Sequence, residues 1–276
     1  MKITCGLIGD HIGDSRFGVA LAQVGAEHGV EVAFEHIDTA ERHRFDFDGT
    51  ILQLRKEGWT GVTVTHPWKL DAMALADLKC GVPERLLSSN LLRFGHGIEA
   101  SNTDYTGFRN MWAEAGLGAP GRVAMAGAGG VARSIAAALD TLGAEDIAVW
   151  DMRAGAAEAL AKEIGGTVRA VLPMDAPAVV GAATGVVNAT PLGMAAHPGT
   201  AFAALGLGPQ SWAFDAVYAP APTVFATDAA AAGLALLSGH DLFRYMLLGS
   251  FKVYTGIEPD AVAMLPVLRA LMEDGW

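Results

Sequence analysis

Lys69 follows the apolar run 61–65 and the tripeptide His66-Pro67-Trp68, which puts it at the carboxyl end of an expected strand, where open α/β sheets place their ligands. A lysine there can exchange a proton with an oxygen of a bound molecule if a partner group holds its ammonium. Asp104, in Ala-Ser-Asn-Thr-Asp, carries a carboxylate suited to that task. Each residue alone also has a plainer reading. Lys69 fits a solvated side chain in the first turn of a helix over 70–79, and Asp104 fits the N-cap of a helix over 105–115.

A second constellation lies in the stretch 121–151. An apolar run at 123–126 is broken by Gly127-Ala128-Gly129-Gly130. Val131 then opens a helical pattern to 142, closed by Gly143, and a second strand at 147–150 ends on Asp151. A pyrophosphate can approach glycine backbone closely, and a helix N-terminus offers unpaired N–H groups and a positive dipole end. The acid ending the second strand would accept hydrogen bonds from an adenosine ribose. The spacing is G-A-G-G with Ala132 in last place rather than G-x-G-x-x-G, so a tight turn that binds nothing also fits it.

The elements that must position these groups alternate. Strands are expected at 2–8, 32–37 and 61–65, with helices at 48–57 and from Ser15, as cap, to Gly29. That alternation implies a parallel sheet. Gly116-Leu-Gly-Ala-Pro-Gly121 reads as a linker, so the first domain should close near Asp104 and its following helix. Beyond it, a helix at 156–164, strands around 186–187 and 213–217 and a helix at 223–233 suit a doubly wound sheet. The closing helices at 242–256 and 260–274 carry apolar faces that need covering, and packing on the N-terminal domain would cover them.

At 276 residues the chain is long enough for two α/β domains, and 51% hydrophobic with 18% charged residues makes it globular throughout. Its net charge of −11, without clustered Lys or Arg, argues against a nucleic-acid surface and for a small-molecule partner. The two cysteines form no C-x-x-C pair, and the eight histidines show no metal-ligand spacing. No metal is expected. No apolar run approaches the ~18 residues of a membrane span, so the expectation is a cytoplasmic protein, monomer or homodimer.

GLIGDHIGDS at the start, GVTVTHPWK at 61–69, SNTDYTGF at 101–108, GAGGVAR at 127–133, NATPLGM at 188–194 and DAVYAP at 215–220 together resemble the shikimate/quinate dehydrogenase family, in the same order along nearly the whole chain. The resemblance implies an α/β substrate domain over 1–104 and 238–276, and a Rossmann-type doubly wound dinucleotide-binding domain over 105–237. It pairs Lys69 with Asp104 as a catalytic dyad, with hydride passing between a ring carbon and nicotinamide in a cleft between the domains. By the same carry-over Ser15, Thr65, Asn90 and Tyr218 face substrate. Gly127, Ala128, Gly129, Gly130, Val131, Asp151, Arg153, Asn188, Thr190, Ala216 and Gly239 serve the cofactor.

The chain departs from the family pattern inside the pockets. Where the family reads H-S-x-S-P, this chain reads Asp14-Ser15-Arg16-Phe17-Gly18, so Phe17 replaces the second serine. Met246 replaces a glutamine, Gly239-His240-Asp241-Leu242 replaces G-x-G-M, and Thr63 replaces an asparagine. Asp151-Met152-Arg153 stands where NADP-using members carry N-R-T. The expectation is therefore an NAD-preferring oxidoreductase, with NADP second, acting on shikimate, quinate or an analogue. A non-catalytic dinucleotide-binding regulatory protein is the alternative, which would have no reason to retain both Lys69 and Asp104.

Overall fold

A computed structural model describes residues 1–42, 44–203, 205–218 and 222–273. Ala219 and Pro220 of the 215–220 motif and the expected helix end at Asp274 lie outside the described residues. The chain forms two compact units, Met1–Gly107 with Arg244–Gly275, and Phe108–Phe243.

In the first unit β1 (Lys2–Gly9), β2 (Glu31–Asp38), β3 (Gly61–Val64), β4 (Leu78–Lys79), β5 (Leu91–Phe94) and β6 (Ile98–Ser101) make a six-stranded sheet in the order β2-β1-β3-β5-β6-β4. β1 pairs in parallel with β2 and β3, as β-α-β alternation requires. The sheet is nevertheless mixed rather than all parallel, because β5 runs antiparallel to both β3 and β6. Ile8, Phe47, Ile51, Val62, Val64 and Leu92 pack as one buried cluster on it. Each large side chain buried there contributes roughly 1.5–3 kcal/mol.

Several boundaries differ from expectation for local reasons. α1 (Phe17–Glu27) starts with Arg16 as N-cap, so Ser15 stands before the cap and its Oγ accepts the Phe17 N–H at 3.3 Å. In α2 (Phe47–Lys56) the Asp46 side chain caps the first turn. α3 (Lys69–Leu75) stops short of 79. Leu78–Lys79 instead pairs with β6, where the Asp77 N–H donates to the Ile98 carbonyl and the Asp77 carboxylate accepts the Ile98 N–H at 2.7 Å.

In the second unit β7 (Arg122–Ala126), β8 (Asp146–Trp150), β9 (Val168–Ala170), β10 (Gly185–Asn188), β11 (Trp212–Asp215) and β12 (Ala235–Ser238) form a parallel sheet in the order β12-β11-β10-β7-β8-β9. This is the doubly wound order, with its switch point between β7 and β10, where the carboxyl ends open a crevice. The second unit also holds α5 (Gly130–Thr141), α6 (Ala156–Ile164), α7 (Ala176–Ala182) and α8 (Val224–Ala231). α5 buries Ile135 and Leu139 together with Ala132, Ala136, Ala137 and Ala138, small residues that let it lie close on the sheet. The unit boundaries fall inside α4 (Thr103–Glu114) and α9 (Gly239–Thr255), and α10 (Ala261–Glu273) ends the described chain. Residues 116–121 are thus not the linker expected. They belong to the second unit, where Trp112 and Trp212 donate their indole N–H groups to the carbonyls of Gly118 and Pro120.

Candidate active site

In the first unit Lys69 is the first residue of α3, and its Nζ lies 2.6 Å from Asp104 Oδ2. The side chains are 13% and 5% exposed, so the pair is largely screened from water while the amine keeps an open side. Asp104 is free for this contact because it is not the N-cap of α4. Asn102 takes that role, its Oδ1 accepting the Tyr105 N–H at 2.9 Å.

A buried polar turn holds both partners. The Ser89 N–H donates to the Lys69 carbonyl at 2.8 Å, and the Ser88 carbonyl accepts Asn102 Nδ2 at 2.8 Å. Neither serine was singled out from the sequence. The available signal was three consecutive polar residues, Ser88-Ser89-Asn90, ahead of an apolar strand. Asn90, 2% exposed, spends both ends of its amide on Thr103, accepting its N–H at 2.7 Å and donating to its hydroxyl at 2.9 Å. The Thr103 hydroxyl lies 3.3 Å from Ser250 Oγ, which donates to the Met246 carbonyl at 2.8 Å. Asn90, Thr103, Ser250 and the main chain of half-buried Met246 thereby form one network at the residue preceding Asp104.

Thr65 follows β3, and two of the altered pocket positions, Phe17 and Thr63, are turned into the core. Thr65 is half-buried, and its carbonyl accepts the Trp68 N–H that starts the turn into α3. Phe17 is 2% exposed and its ring packs 5.9 Å from Phe34, so it is a core side chain. The Thr63 hydroxyl is also turned inward, 2.7 Å from the Tyr254 hydroxyl, whose pKa burial pushes well above the usual phenol range.

The second unit carries the glycine turn. Gly127 adopts φ +98°, and a Cβ there would sit 2.5 Å from the Ala189 carbonyl oxygen, so glycine is required where β7 passes β10. Gly129 is the N-cap of α5, with no atom within 4 Å of where a Cβ would stand, leaving open space at the helix N-terminus, where Gly130 and Val131 begin the first turn. Arg133, the last residue of the motif at 127–133 and given no role from the sequence, clamps this turn. Its guanidinium donates to the carbonyls of Ala128 and Gly129 and pairs with Glu163 at 2.8 Å.

Asp151 accepts the Ala128 N–H at 2.8 Å and the Arg153 N–H at 2.8 Å, and Arg153 folds its Nε and Nη2 back onto the same carboxylate. Burial raises this carboxyl's pKa, but the hydrogen bonds and charge from Arg153 and the Ala128 amide outweigh it and hold the group below its usual range.

At the ends of β10 and β11, the Asn188 side chain accepts from the Thr190 hydroxyl and donates to the Leu192 carbonyl and to Asp215. Asp215 also receives Thr223 and the Val217 N–H, yet its burial pushes the carboxyl up. The Ala216 N–H donates to the Asn188 carbonyl, and a Cβ on Gly239 would meet the Ala216 oxygen at 2.6 Å, so the start of α9 depends on glycine. Tyr218 is 38% exposed, its ring 6.1 Å from His240 and 6.2 Å from Phe243.

Residues 7–81 match the shikimate dehydrogenase substrate binding domain. The chain is 37% identical, over 98% of its length and 99% of the relative's, to a Corynebacterium efficiens protein named quinate/shikimate dehydrogenase (NAD(+)). It is 35% identical, over 81% and 79%, to a Streptomyces avermitilis protein named shikimate dehydrogenase (NADP(+)). Among solved structures, quinate dehydrogenase from Corynebacterium glutamicum in complex with NAD matches with a TM-score of 0.88 at 31% identity, covering 98% of this chain and 99% of that one. Shikimate 5-dehydrogenase from Thermus thermophilus in complex with NADP(H) and shikimate matches with a TM-score of 0.81 at 28% identity, over 97% and 99%.

The mixed first unit and the Rossmann-type second unit place the chain in the class of two-domain α/β proteins that these solved structures share. Within that class, the chain belongs to the shikimate/quinate dehydrogenase family.

Proposed function

We propose that this protein oxidises a ring hydroxyl of quinate, shikimate or a related hydroxylated cyclic acid, and reduces the corresponding ketone, with NAD preferred over NADP. The observation that carries the reading is the Lys69–Asp104 pair at 2.6 Å. A dinucleotide-binding protein without a reaction would have no use for an ammonium held at the end of β3.

The second unit fits a dinucleotide, since the open space at Gly129 lies at the N-terminus of α5. The backbone N–H groups over 127–131 would hold the pyrophosphate and Asp151 the adenosine ribose. Asn188, Thr190, Ala216 and Gly239 would serve the nicotinamide end. Bound nicotinamide supplies the two-electron carrier that accepts or returns the hydride of the ring carbon. Lys69 exchanges the accompanying proton. It takes the hydroxyl proton as the alcohol becomes a ketone and returns it in reduction, while Asp104 fixes the amine's position. Ser15, Thr65 and Tyr218 are assigned to the ring's polar groups. With Phe17 in the core, Arg16 beside Ser15 is assigned to the substrate carboxylate, which a guanidinium can clamp with two hydrogen bonds.

The substrate is a small molecule, and the protein is proposed to act in the cytoplasm as a monomer or homodimer. No helix among the described residues is long and apolar enough to cross a membrane. Steady-state oxidation of quinate and of shikimate, each with NAD and with NADP, tests the reading. Turnover of at least one acid with higher kcat/KM for NAD is expected. Turnover of neither acid, nor of amino-substituted analogues, rejects it.

A further inference from the structure

The carboxyl ends of β1, β2 and β3 are joined by a side-chain circuit that the proton exchange does not use. The Thr39 hydroxyl, in a residue only 4% exposed, donates to the Asp10 carboxylate and accepts the indole N–H of Trp68 at 2.8 Å. Main-chain bonds close the circuit. The Asp10 N–H donates to the His66 carbonyl at 2.9 Å, and the Thr39 N–H to the Gly9 carbonyl at 2.9 Å.

Each end of this circuit reaches a residue of the proposed site. Trp68 is the N-cap of α3 and immediately precedes Lys69, and its ring stacks on Phe47 with centroids 5.4 Å apart and planes 10° from parallel. Asp10 opens the loop toward Ser15. That loop is pinned further along, where the Asp38 carboxylate accepts the N–H groups of His11 and Ile12, and the Ile12 carbonyl accepts the Ser15 N–H at 3.0 Å.

The circuit is additional to packing. A valine at 39 would fill the same volume, and a phenylalanine at 68 would still stack on Phe47. The threonine hydroxyl uses its donor on a carboxylate and an acceptor site on an indole, which gives the contact a direction that apolar packing lacks.

We propose that Asp10, Thr39 and Trp68 are positioning residues, a brace that holds the Ser15 loop and the Lys69 helix in fixed register. Substrate gripped at one end then presents its hydroxyl to the amine at the other. A displacement of about 1 Å at a reacting group can cost ~100-fold in rate, so a brace of this kind bears on turnover without touching substrate. The proposal rests on Lys69 as the proton-exchanging residue.

Kinetics of Thr39→Val, Trp68→Phe, the double variant and Thr39→Ser test it, with Lys69→Ala in parallel. Each single variant is expected to lower kcat/KM for the ring acid roughly 10- to 100-fold and to leave KM for NAD unchanged. The double variant should be no worse than Thr39→Val alone, because the bond that Trp68→Phe removes is already broken there. Thr39→Ser should restore the wild-type value. Wild-type ring-acid kinetics in both single variants overturn the brace, as do losses that fall equally on the two KM values or persist in Thr39→Ser. If Lys69→Ala keeps its turnover, the proton-exchange reading fails and the brace falls with it. If Lys69→Ala is inactive and the brace variants are unaffected, only the brace fails.

Discussion

Lys69 Nζ meets Asp104 Oδ2 at 2.6 Å, the amine on the first residue of α3 and the carboxylate on the second residue of α4. Two helix starts therefore point first-turn side chains at each other. Lys69→Ala should lower kcat about 100- to 10,000-fold, the range for losing a general acid–base group, and also cost stability, because the buried Asp104 carboxylate is left without its partner. Retained kcat at an unchanged pH profile would remove the pair from the chemistry.

Because Asn102 rather than Asp104 caps α4, the two neighbours should separate cleanly. Asp104→Asn is expected to lose turnover without weakening the helix start. Asn102→Ala should cost about 1 kcal/mol or more in unfolding free energy, since it removes both the cap and the bond to Ser88. Denaturant unfolding of the two variants checks this. An Asn102→Ala variant as stable as the parent would contradict the capping assignment.

Cofactor choice should turn on Arg153. Its backbone and guanidinium, with the Ala128 N–H, already engage both oxygens of Asp151. A carboxylate offers about four acceptor sites, so a ribose hydroxyl competes with the guanidinium. Arg153→Ala is expected to lower kcat/KM for NADP, whose 2′-phosphate would attract the freed arginine, while NAD is unaffected or improved. A fall with NAD and none with NADP would show that Arg153 acts through the ribose site instead.

Asp151 also sets a pH dependence. Its folded-state pKa lies below the ordinary value, so its stabilising contribution is present above the unfolded value and is lost as pH falls through the folded one. The unfolding midpoint of Arg153→Ala, which removes the guanidinium that lowers the carboxyl, should depend less steeply on pH between about 5 and 3 than that of the parent. Parallel curves would contradict the linkage.

Phe17 changes what a pocket repair can do. At 2% exposure against Phe34 it is a core ring, and Phe17→Ser should cost about 3–5 kcal/mol, as large-to-small core changes do. Half-buried Met246 is the residue to exchange. Met246→Gln should raise kcat/KM for shikimate if a ring hydroxyl faces it, by about tenfold for one bond of ~1.4 kcal/mol. Thermal melts and shikimate kinetics of the separate variants test both statements.

The parallel second sheet was legible because β7, the glycine turn, α5 and β8 each announce themselves in a few contiguous residues, and α6 falls on its expected bounds. The antiparallel insertion of β5 and β6 was not, since two four-residue strands around Gly95–His96–Gly97 carry too few residues to show a period. α3 was overextended for a related reason. Its apolar spacing continues past Leu75, but the pairing of Leu78 with β6 is a long-range contact that no local pattern contains. Lys69 and Asp104 were readable as types, and their contact was not readable from spacing. It depends on Ser88 and Ser89 holding α3 and α4 from a turn whose burial no composition rule announces.

Hydride transfer itself is tested most directly by isotope. Quinate or shikimate carrying deuterium on the oxidisable ring carbon, incubated with NAD, should yield reduced nicotinamide with one deuterium per turnover by mass spectrometry, and Lys69→Ala should yield almost none. Reduced nicotinamide without the label, or no reduction with either acid, would contradict the account.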